Sequence, residues 1–188
     1  VNMPSLTAEE ARRLKPYMPL AEQLGSFAGQ LTETALSAVQ VSYQGHVATL
    51  NTRPLTALVL TGLLRPLLEG VNVVNAPTIA RERDIHVSEV KDEAPGDYQT
   101  QISLTVTTER RQRTVSGTLF AGSRPRVVQV QDIRFEAELG ASMLFIRNKD
   151  KPGFIGRLGS ILGDAGVNIA NFHLGRSAPG GDAVALVE

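Results

Sequence analysis

The sequence contains no cysteine, and its 19 acidic residues balance 19 lysines and arginines. Without a thiol the chain forms no disulfide, carries no thiol nucleophile and offers no thiolate ligand to a metal. A balanced charge gives no electrostatic footprint for nucleic acid or for an anionic membrane. No apolar run approaches the roughly 20 residues that span a bilayer, and no secretory leader opens the chain. We therefore expect a cytoplasmic protein without nucleic-acid or membrane partners.

Two further absences concern metals and cofactors. His46, His86 and His173 are far apart in the sequence and have no metal-ligand spacing, so we predict no metal site. No G-x-G-x-x-G motif follows a predicted strand, so the chain lacks the fingerprint of a dinucleotide-binding fold. We therefore expect no cofactor in this chain.

Helical patterns occupy the first part of the chain. Thr7 and Glu10 have the spacing of a capping box, which predicts a helix that ends before Pro16. A second helix is predicted over residues 19–30 from its apolar periodicity. The run Asn51-Thr-Arg-Pro54 predicts the start of a third helix, which continues to the Leu67-Leu68 pair before Gly70 stops it.

Strand patterns alternate with these helices and then dominate. Residues 36–43 are rich in valine, and a short strand extension is expected over 47–50. Residues 102–106 and 115–119 alternate apolar and polar side chains, which indicates half-buried antiparallel strands. A further strand is predicted over 127–133. The order of elements predicts an α+β protein with boundaries near residues 31 and 140.

A compact unit closes the sequence. The apolar run Met143-Leu-Phe-Ile146 leads into a polar loop, and Pro152-Gly153 then opens a helical pattern that ends at Gly166. A second apolar run follows at once, so the unit is a strand, a loop, a helix and a strand. The first amides of such a helix have no partner inside it and suit a carboxylate or a phosphate.

The loop of this unit carries groups that match a free amino acid. Asn148 and Asp150 alternate at the end of the strand, so their side chains point the same way. Asp150 can hold an ammonium group, Asn148 can donate and accept, and the amides of Gly153 to Ile155 can hold a carboxylate. Asn168 opens the next strand, within reach of the same ligand or across a subunit boundary. The alternative is a solvated turn with ordinary capping residues.

Glycines form one stripe along the closing helix: Gly153, Gly156, Gly159, Gly163 and Gly166. Each interior glycine costs about 1 kcal/mol relative to alanine, so a close approach by another helix, a strand or a ligand is expected to offset the loss. The adjoining apolar arc, which includes Ile155 and Ile161, is expected to cover a small sheet. The alternative is that Gly166 only caps the helix and the others are tolerated.

Residues 150–171 resemble the ACT domain of the D-3-phosphoglycerate dehydrogenase family. Residues 1–22 are similar to the segment that leaves the substrate domain in its long bacterial form. Asn75-Ala-Pro-Thr-Ile-Ala-Arg-Glu-Arg83 and Ser116-Gly-Thr-Leu-Phe120 resemble its intervening domain.

The resemblance implies three parts. Residues 1–31 would be a helical segment leaving the catalytic part, and residues 32–140 a mixed α/β intervening domain that binds substrate allosterically. Residues 141–188 would be a ferredoxin-like ACT domain that stops before its last helix and strand.

The resemblance also implies a function. The family oxidises D-3-phosphoglycerate with NAD in the first step of L-serine synthesis, and L-serine inhibits it. The catalytic and NAD-binding residues lie upstream in the family, so we expect a regulatory fragment with no catalytic residue. We also expect it to form homo-oligomers through its intervening and ACT domains.

Family effector contacts fall on the closing unit of this chain. The implied L-serine contacts are Asn148, Asp150, Pro152, Gly153, Phe154, Ile155, Asn168 and Ile169. An anion site in the intervening domain is implied at Arg126, with Arg124 and Arg134 as further candidates. A second basic position of the family falls near Glu138, which departs from the pattern.

Two other readings compete with this one. The first is the regulatory part of an iron–sulfur L-serine dehydratase, in which serine is the substrate; the opening Asn-Met-Pro segment argues against it. The second is a stand-alone sensor of amino acids, against which the ends of the chain argue.

Overall fold

The computed structural model describes residues 7–188, and the first six residues of the predicted leading segment lie outside them. The helices are α1 (Ala8–Leu14), α2 (Tyr17–Gln30), α3 (Arg53–Leu64), α4 (Ala76–Glu82) and α5 (Phe154–Asp164). The strands are β1 (Leu36–Gly45), β2 (His86–Asp92), β3 (Thr100–Thr108), β4 (Gln112–Phe120), β5 (Arg124–Val130), β6 (Ile133–Ala137), β7 (Leu144–Lys149), β8 (Phe172–Arg176) and β9 (Asp182–Val187). The predicted α+β class is confirmed.

Local signals explain most helix ends. The Thr7 hydroxyl accepts from the Glu10 amide, and the Glu10 carboxylate accepts from the Thr7 amide, so the predicted capping box is confirmed. The prediction that α3 reaches the leucine pair before Gly70 is wrong, because the helix ends at Leu64. Pro66 has no N–H to continue the hydrogen-bond ladder, and a turn follows.

The first sheet has the strand order β2-β1-β3-β4-β5-β6. β1 and β2 run parallel, and every other neighbouring pair is antiparallel. Three predictions need correction here. Residues 46–49 form a 3-10 turn rather than a strand extension, β2 was not predicted, and the strand over 127–133 is two strands that turn at Gln131, where φ is 56°.

α2 crosses α3 at unusually short range. A Cβ added to Gly25 would lie 2.1 Å from the Val59 carbonyl oxygen, and one added to Gly62 would lie 2.2 Å from the Glu22 carbonyl oxygen. The missing side chains therefore allow the two backbones to touch. Around this contact the leucines of both helices pack on the valines and isoleucines of the sheet, which form the main core: Leu20, Leu24, Leu55, Leu60, Leu63, Val39, Val41, Ile102 and Leu104.

The second sheet has the antiparallel order β7-β9-β8 and belongs to the closing unit. One face packs on the first domain, since the Phe27 and Phe145 rings meet edge to face at 5.5 Å and Leu186 joins the main core. β8 also lies against β6: a Cβ on Gly175 would be 2.8 Å from the Arg134 carbonyl oxygen and 2.9 Å from the Cβ of Phe135.

Gly175 therefore controls how the two sheets dock. We expect Gly175→Val to lower the free energy of unfolding by about 2–3 kcal/mol, because the new side chain forces β8 away from β6. The neighbouring change Leu174→Val, at a side chain that is 40% exposed, should cost less than about 1.5 kcal/mol. Urea unfolding of both variants checks the difference, and equal stabilities would contradict the docking.

α5 is less covered than its apolar arc predicts. Leu158 and Leu162 are half-buried, but Ile155 and Ile161 remain 54% and 66% exposed, so the arc reaches beyond the three-stranded sheet. Outside the helix itself, no atom of residues 7–188 lies within 4 Å of a Cβ added to Gly156, Gly159 or Gly163. The expected close approach is therefore not made by the described part of this chain.

Candidate functional site

A cleft of about 330 Å³ opens where β7 ends and α5 begins. It is lined by the polar loop, by the first turn of α5 and by the neighbouring ends of β8 and β9. Six residues of the predicted effector site meet here: Asn148, Asp150, Pro152, Gly153, Phe154 and Ile155. The structure thus brings the loop and helix portions of the predicted site together around one space.

The floor of the cleft is a row across the second sheet. Asn148 and Arg176 both pair with Ala183, one from each side, so the three residues share a face. Leu174 continues that face one row further along. Because alanine is small, the central strand leaves room above it for a ligand between the two polar neighbours.

Gly153 shapes the helix end of the cleft. Its φ is 86°, in the left-handed region that favours glycine, and it is the N-cap residue of α5. No side chain caps this helix terminus. The first backbone hydrogen bond of the helix runs from the Arg157 amide to the Gly153 carbonyl oxygen at 3.0 Å. The amides of Phe154, Ile155 and Gly156 precede it and have no carbonyl partner within the helix. They are the unsatisfied donors of the first turn.

Asp150 is held by two donors. Its Oδ2 accepts from Nη1 of Arg176 at 2.6 Å and from the Gly180 amide at 3.2 Å. The hydrogen bond from Arg176, with that from Gly180 after it, holds the pKa of the Asp150 carboxyl below its ordinary value, so this group is an anion at neutral pH. Both bonds end on one oxygen, which leaves Oδ1 available to a ligand.

Arg176 was missed by the sequence reasoning. It lies 26 residues beyond Asp150 and reaches the site only because β8 and β7 flank β9 in matching register. Two features of the sequence could have identified Arg176: the alternating pattern of β8 and the resemblance to an ACT domain. Together they imply that β8 lies close to the loop that contains Asp150. With Arg176 the cleft holds both a carboxylate and a guanidinium.

The Asp150–Arg176 pair predicts a defined pH response. Because folding lowers the pKa of Asp150, the pair adds stability above the unfolded-state pKa of about 4 and loses it as the pH falls through the folded value. Arg176→Gln should raise the pKa of Asp150 towards its ordinary value. NMR titration of the Asp150 carboxyl carbon in both proteins measures this, and identical titration curves would contradict the pairing.

Asn148 contains an acceptor without a partner. Its Nδ2 donates to the Lys149 carbonyl oxygen at 3.0 Å, but its buried Oδ1 has no hydrogen-bond partner among residues 7–188. A buried polar atom left in this state costs about 1–3 kcal/mol.

Asn168 and Ile169 do not line the cleft. They lie in the loop between α5 and β8, at the opposite end of the helix, and Asn168 is exposed. Their predicted role in effector binding therefore stays a prediction, and it requires a second copy of the chain to bring them to the ligand.

The arginines of the predicted anion site have acidic neighbours. Arg126 forms an ion pair of 2.8 Å with Glu138 and lies over the Phe120 ring, and Arg134 pairs with Asp97 at 2.8 Å. Arg124 begins β5 opposite Phe120 and is exposed. Glu138 stands where the family has a basic residue, and its carboxylate already pairs with the guanidinium of Arg126. The anion site therefore stays a prediction.

Other site types find no support in the described residues. Residues 7–188 contain no group of three or more His, Asp or Glu side chains arranged to hold a metal ion. In the same stretch, no helix has the length and apolar character to cross a membrane.

Comparison with known proteins assigns both domains. A family model described as the D-3-phosphoglycerate dehydrogenase intervening domain matches residues 13–131, and an ACT domain model matches residues 142–187. The chain belongs to the D-3-phosphoglycerate dehydrogenase family. The predicted resemblance is confirmed, and the cleft lies in the ACT domain.

Individual relatives carry the same name. The D-3-phosphoglycerate dehydrogenase of Synechocystis is 38% identical over 98% of this chain and 34% of its own length. Those of Bacillus subtilis and Methanocaldococcus jannaschii are 34% and 36% identical over the whole chain and 36% of their lengths. The chain therefore spans about a third of the relatives it matches.

Proposed function

We propose that this chain is the regulatory region of an NAD-dependent D-3-phosphoglycerate dehydrogenase and that its ACT cleft binds L-serine as a feedback inhibitor. The observation that carries the proposal is the donor and acceptor set around the cleft. A carboxylate, a guanidinium, free helix amides and the Asn148 side chain surround a space of about 330 Å³. The family assignment supports the parent activity.

L-Serine is complementary to each of these groups. Its ammonium group pairs with the free Oδ1 of Asp150. Its carboxylate accepts from the first amides of α5 and from Arg176, whose guanidinium has five donors. Its hydroxyl group lies next to the Asn148 side chain, which lines the cleft. A small side chain suits a cleft bounded by Leu174 and the first turn of α5.

Inhibition then follows from linkage. Serine shifts the equilibrium between two arrangements of the subunits if it binds one arrangement more tightly than the other. The size of the shift is set by the ratio of the two affinities. The ACT sheet packs on the intervening domain through Phe145 and Gly175, so a shift of the sheet is passed to β6 and α2. The catalytic half, with NAD and substrate, would respond through its connection to that domain.

The surface around α5 supports pairing between copies. Four apolar side chains near the empty glycine stripe are 40–66% exposed: Ile155, Ile161, Val167 and Leu174. β8 is one of the two edge strands of its sheet, and an edge strand can pair with a further strand. In such a pair Asn168 of the second copy would serve the first copy's cleft, which is one of the two alternatives that the sequence leaves open.

Gly159 tests this surface. We expect Gly159→Leu to lower the molar mass in solution, because a leucine on the stripe prevents two α5 helices from approaching closely. Multi-angle light scattering of the variant and the parent protein at the same concentration measures the effect. Arg157→Leu, an exposed position of the same helix off the stripe, is the matched control. An unchanged mass for the Gly159 variant would contradict the assignment.

The dehydratase reading has less support. The intervening-domain model covers residues 13–131, and the relatives compared above carry the dehydrogenase name. The deciding experiment uses the longer protein that contains this chain. NAD-dependent oxidation of 3-phosphoglycerate that falls with added L-serine supports the proposal. Release of ammonia from serine, or activity indifferent to serine, contradicts it.

A further inference from the structure

A second and larger cavity lies in the intervening domain, remote from the ACT cleft. It occupies about 550 Å³ between α3, α4 and the edge strand β2. Its floor and walls are mainly apolar, with Ala57, Leu60, Ile85 and Val87 facing the space. Volumes of about 300–1,000 Å³ with an apolar lining and few polar groups are typical of sites for small molecules.

Glu89 provides a fixed carboxylate in this cavity. Its two oxygens accept hydrogen bonds from the hydroxyls of Thr52 at 2.7 Å and Thr56 at 2.5 Å. Thr56 in turn lies 2.6 Å from the hydroxyl of buried Tyr43, whose pKa is raised by burial, so that tyrosine keeps its proton and donates. Thr52 is the N-cap residue of α3, but its hydroxyl donates to Glu89 and caps no helix amide.

The carboxylate is positioned but not neutralised. Two threonine hydroxyls orient it directly and the Tyr43 hydroxyl supports one of them, yet within residues 7–188 Glu89 makes no ion pair. Hydroxyl donors hold a carboxylate in place without balancing its charge. Glu89 is exposed, so a cation brought by a ligand can reach its carboxylate and supply that balance.

Two arginine side chains line the same cavity, Arg53 at the start of α3 and Arg81 in α4. Arg53 follows Thr52, whose hydroxyl bonds to Glu89, so the start of α3 lies at the Glu89 end of the cavity. Arg53 is exposed and, within the described part of the chain, forms neither an ion pair nor a side-chain hydrogen bond. Ala57 and Leu60 succeed it along the same wall of α3, leading from the charged end into the apolar part.

We propose that this cavity binds a free α-amino acid with an aliphatic side chain. The ammonium group pairs with Glu89, the carboxylate pairs with Arg53, and the side chain lies on Ala57, Leu60 and Val87. A monocarboxylic acid would leave Glu89 unbalanced and facing another anion. An alkylamine would leave Arg53 without its partner. A ligand with both charges at one end and an apolar tail matches Glu89, Arg53 and the apolar wall, and Arg81 and His86 complete the polar part of the lining.

The test uses L-leucine and two analogues that each lack one charge. Isothermal titration of the full chain with L-leucine, isocaproate and isoamylamine gives the three affinities. We expect saturable binding of leucine, and each analogue should bind at least roughly tenfold more weakly because one charged contact is lost. Amide NMR spectra should show leucine-induced shifts in α3, α4 and β2.

Matched variants locate the binding. Glu89→Gln and Arg53→Gln should each weaken leucine at least roughly tenfold, whereas Glu93→Gln and Arg83→Gln, at exposed positions outside the cavity, should leave it unchanged. Arg53→Gln touches no internal contact, so it remains informative if the Glu89 change disturbs folding. Asp150→Ala separates this site from the ACT cleft and should also leave leucine binding unchanged.

Several results would overturn the proposal. The first is the lack of saturable leucine binding up to about 10 mM, a concentration at which even millimolar affinity is visible. The second is isocaproate or isoamylamine binding as tightly as leucine, which would mean a simple acid or amine site. The third is loss of leucine binding in Asp150→Ala, which would move the ligand to the ACT cleft.

Discussion

Replacing Gly25 with alanine is expected to lower the free energy of unfolding by about 3 kcal/mol, although only one methyl group is added. The new carbon would lie 2.1 Å from the carbonyl oxygen of Val59 and 2.9 Å from the amide nitrogen of Leu63. Both are backbone atoms, so no side chain can rotate away. α2 and α3 must separate, and their leucines lose packing against the first sheet.

An alanine at an exposed position of the same helix is the control. Gln30→Ala, near the end of α2, should change the free energy of unfolding by less than about 0.5 kcal/mol. Chemical denaturation of both variants and the parent protein measures the contrast. Equal and small effects would show that α2 and α3 are not in backbone contact.

Asp150→Ala is expected to weaken inhibition by L-serine about 10- to 100-fold in the longer enzyme, because a charge-assisted hydrogen bond contributes about 1.5–3 kcal/mol. The carboxylate is an anion at neutral pH, and its lowered pKa keeps it so well into the acid range. Turnover without serine should change little, since the cleft holds no part of the proposed catalytic half.

An acid elsewhere on the same unit serves for comparison. Asp164 ends α5, is exposed and does not line the cleft, so Asp164→Ala should leave the serine response intact. Initial rates of NAD reduction across a serine titration give both inhibition constants. Inhibition that survives in the Asp150 variant would reject the loop as the effector site.

Local chemistry made the loop and the start of α5 predictable. Asp150, Gly153 and the free amides after it lie within a few residues of each other, and their geometry follows from one strand end and one helix start. The capping box at Thr7 was predictable for the same reason. Such features depend on neighbours in sequence, which a periodic pattern and a cap identify directly.

Features set by distant pairing were not predictable. Arg176 reaches Asp150 because β7 and β8 both pair with β9 in matching register. β2 is a polar strand, and two helices separate it in sequence from its partner β1. The glycines that allow close packing were sought on α5, but the contacts made by this chain are at Gly25 and Gly62. The spacing of glycines along a helix does not show which of them pack against another helix.

A crystal structure with L-serine bound tests the central claim most directly. The account predicts effector density between Oδ1 of Asp150 and the first amides of α5, with the serine hydroxyl within hydrogen-bond distance of Asn148. Density for serine at any other place, with the cleft closed by the protein's own side chains, would contradict it.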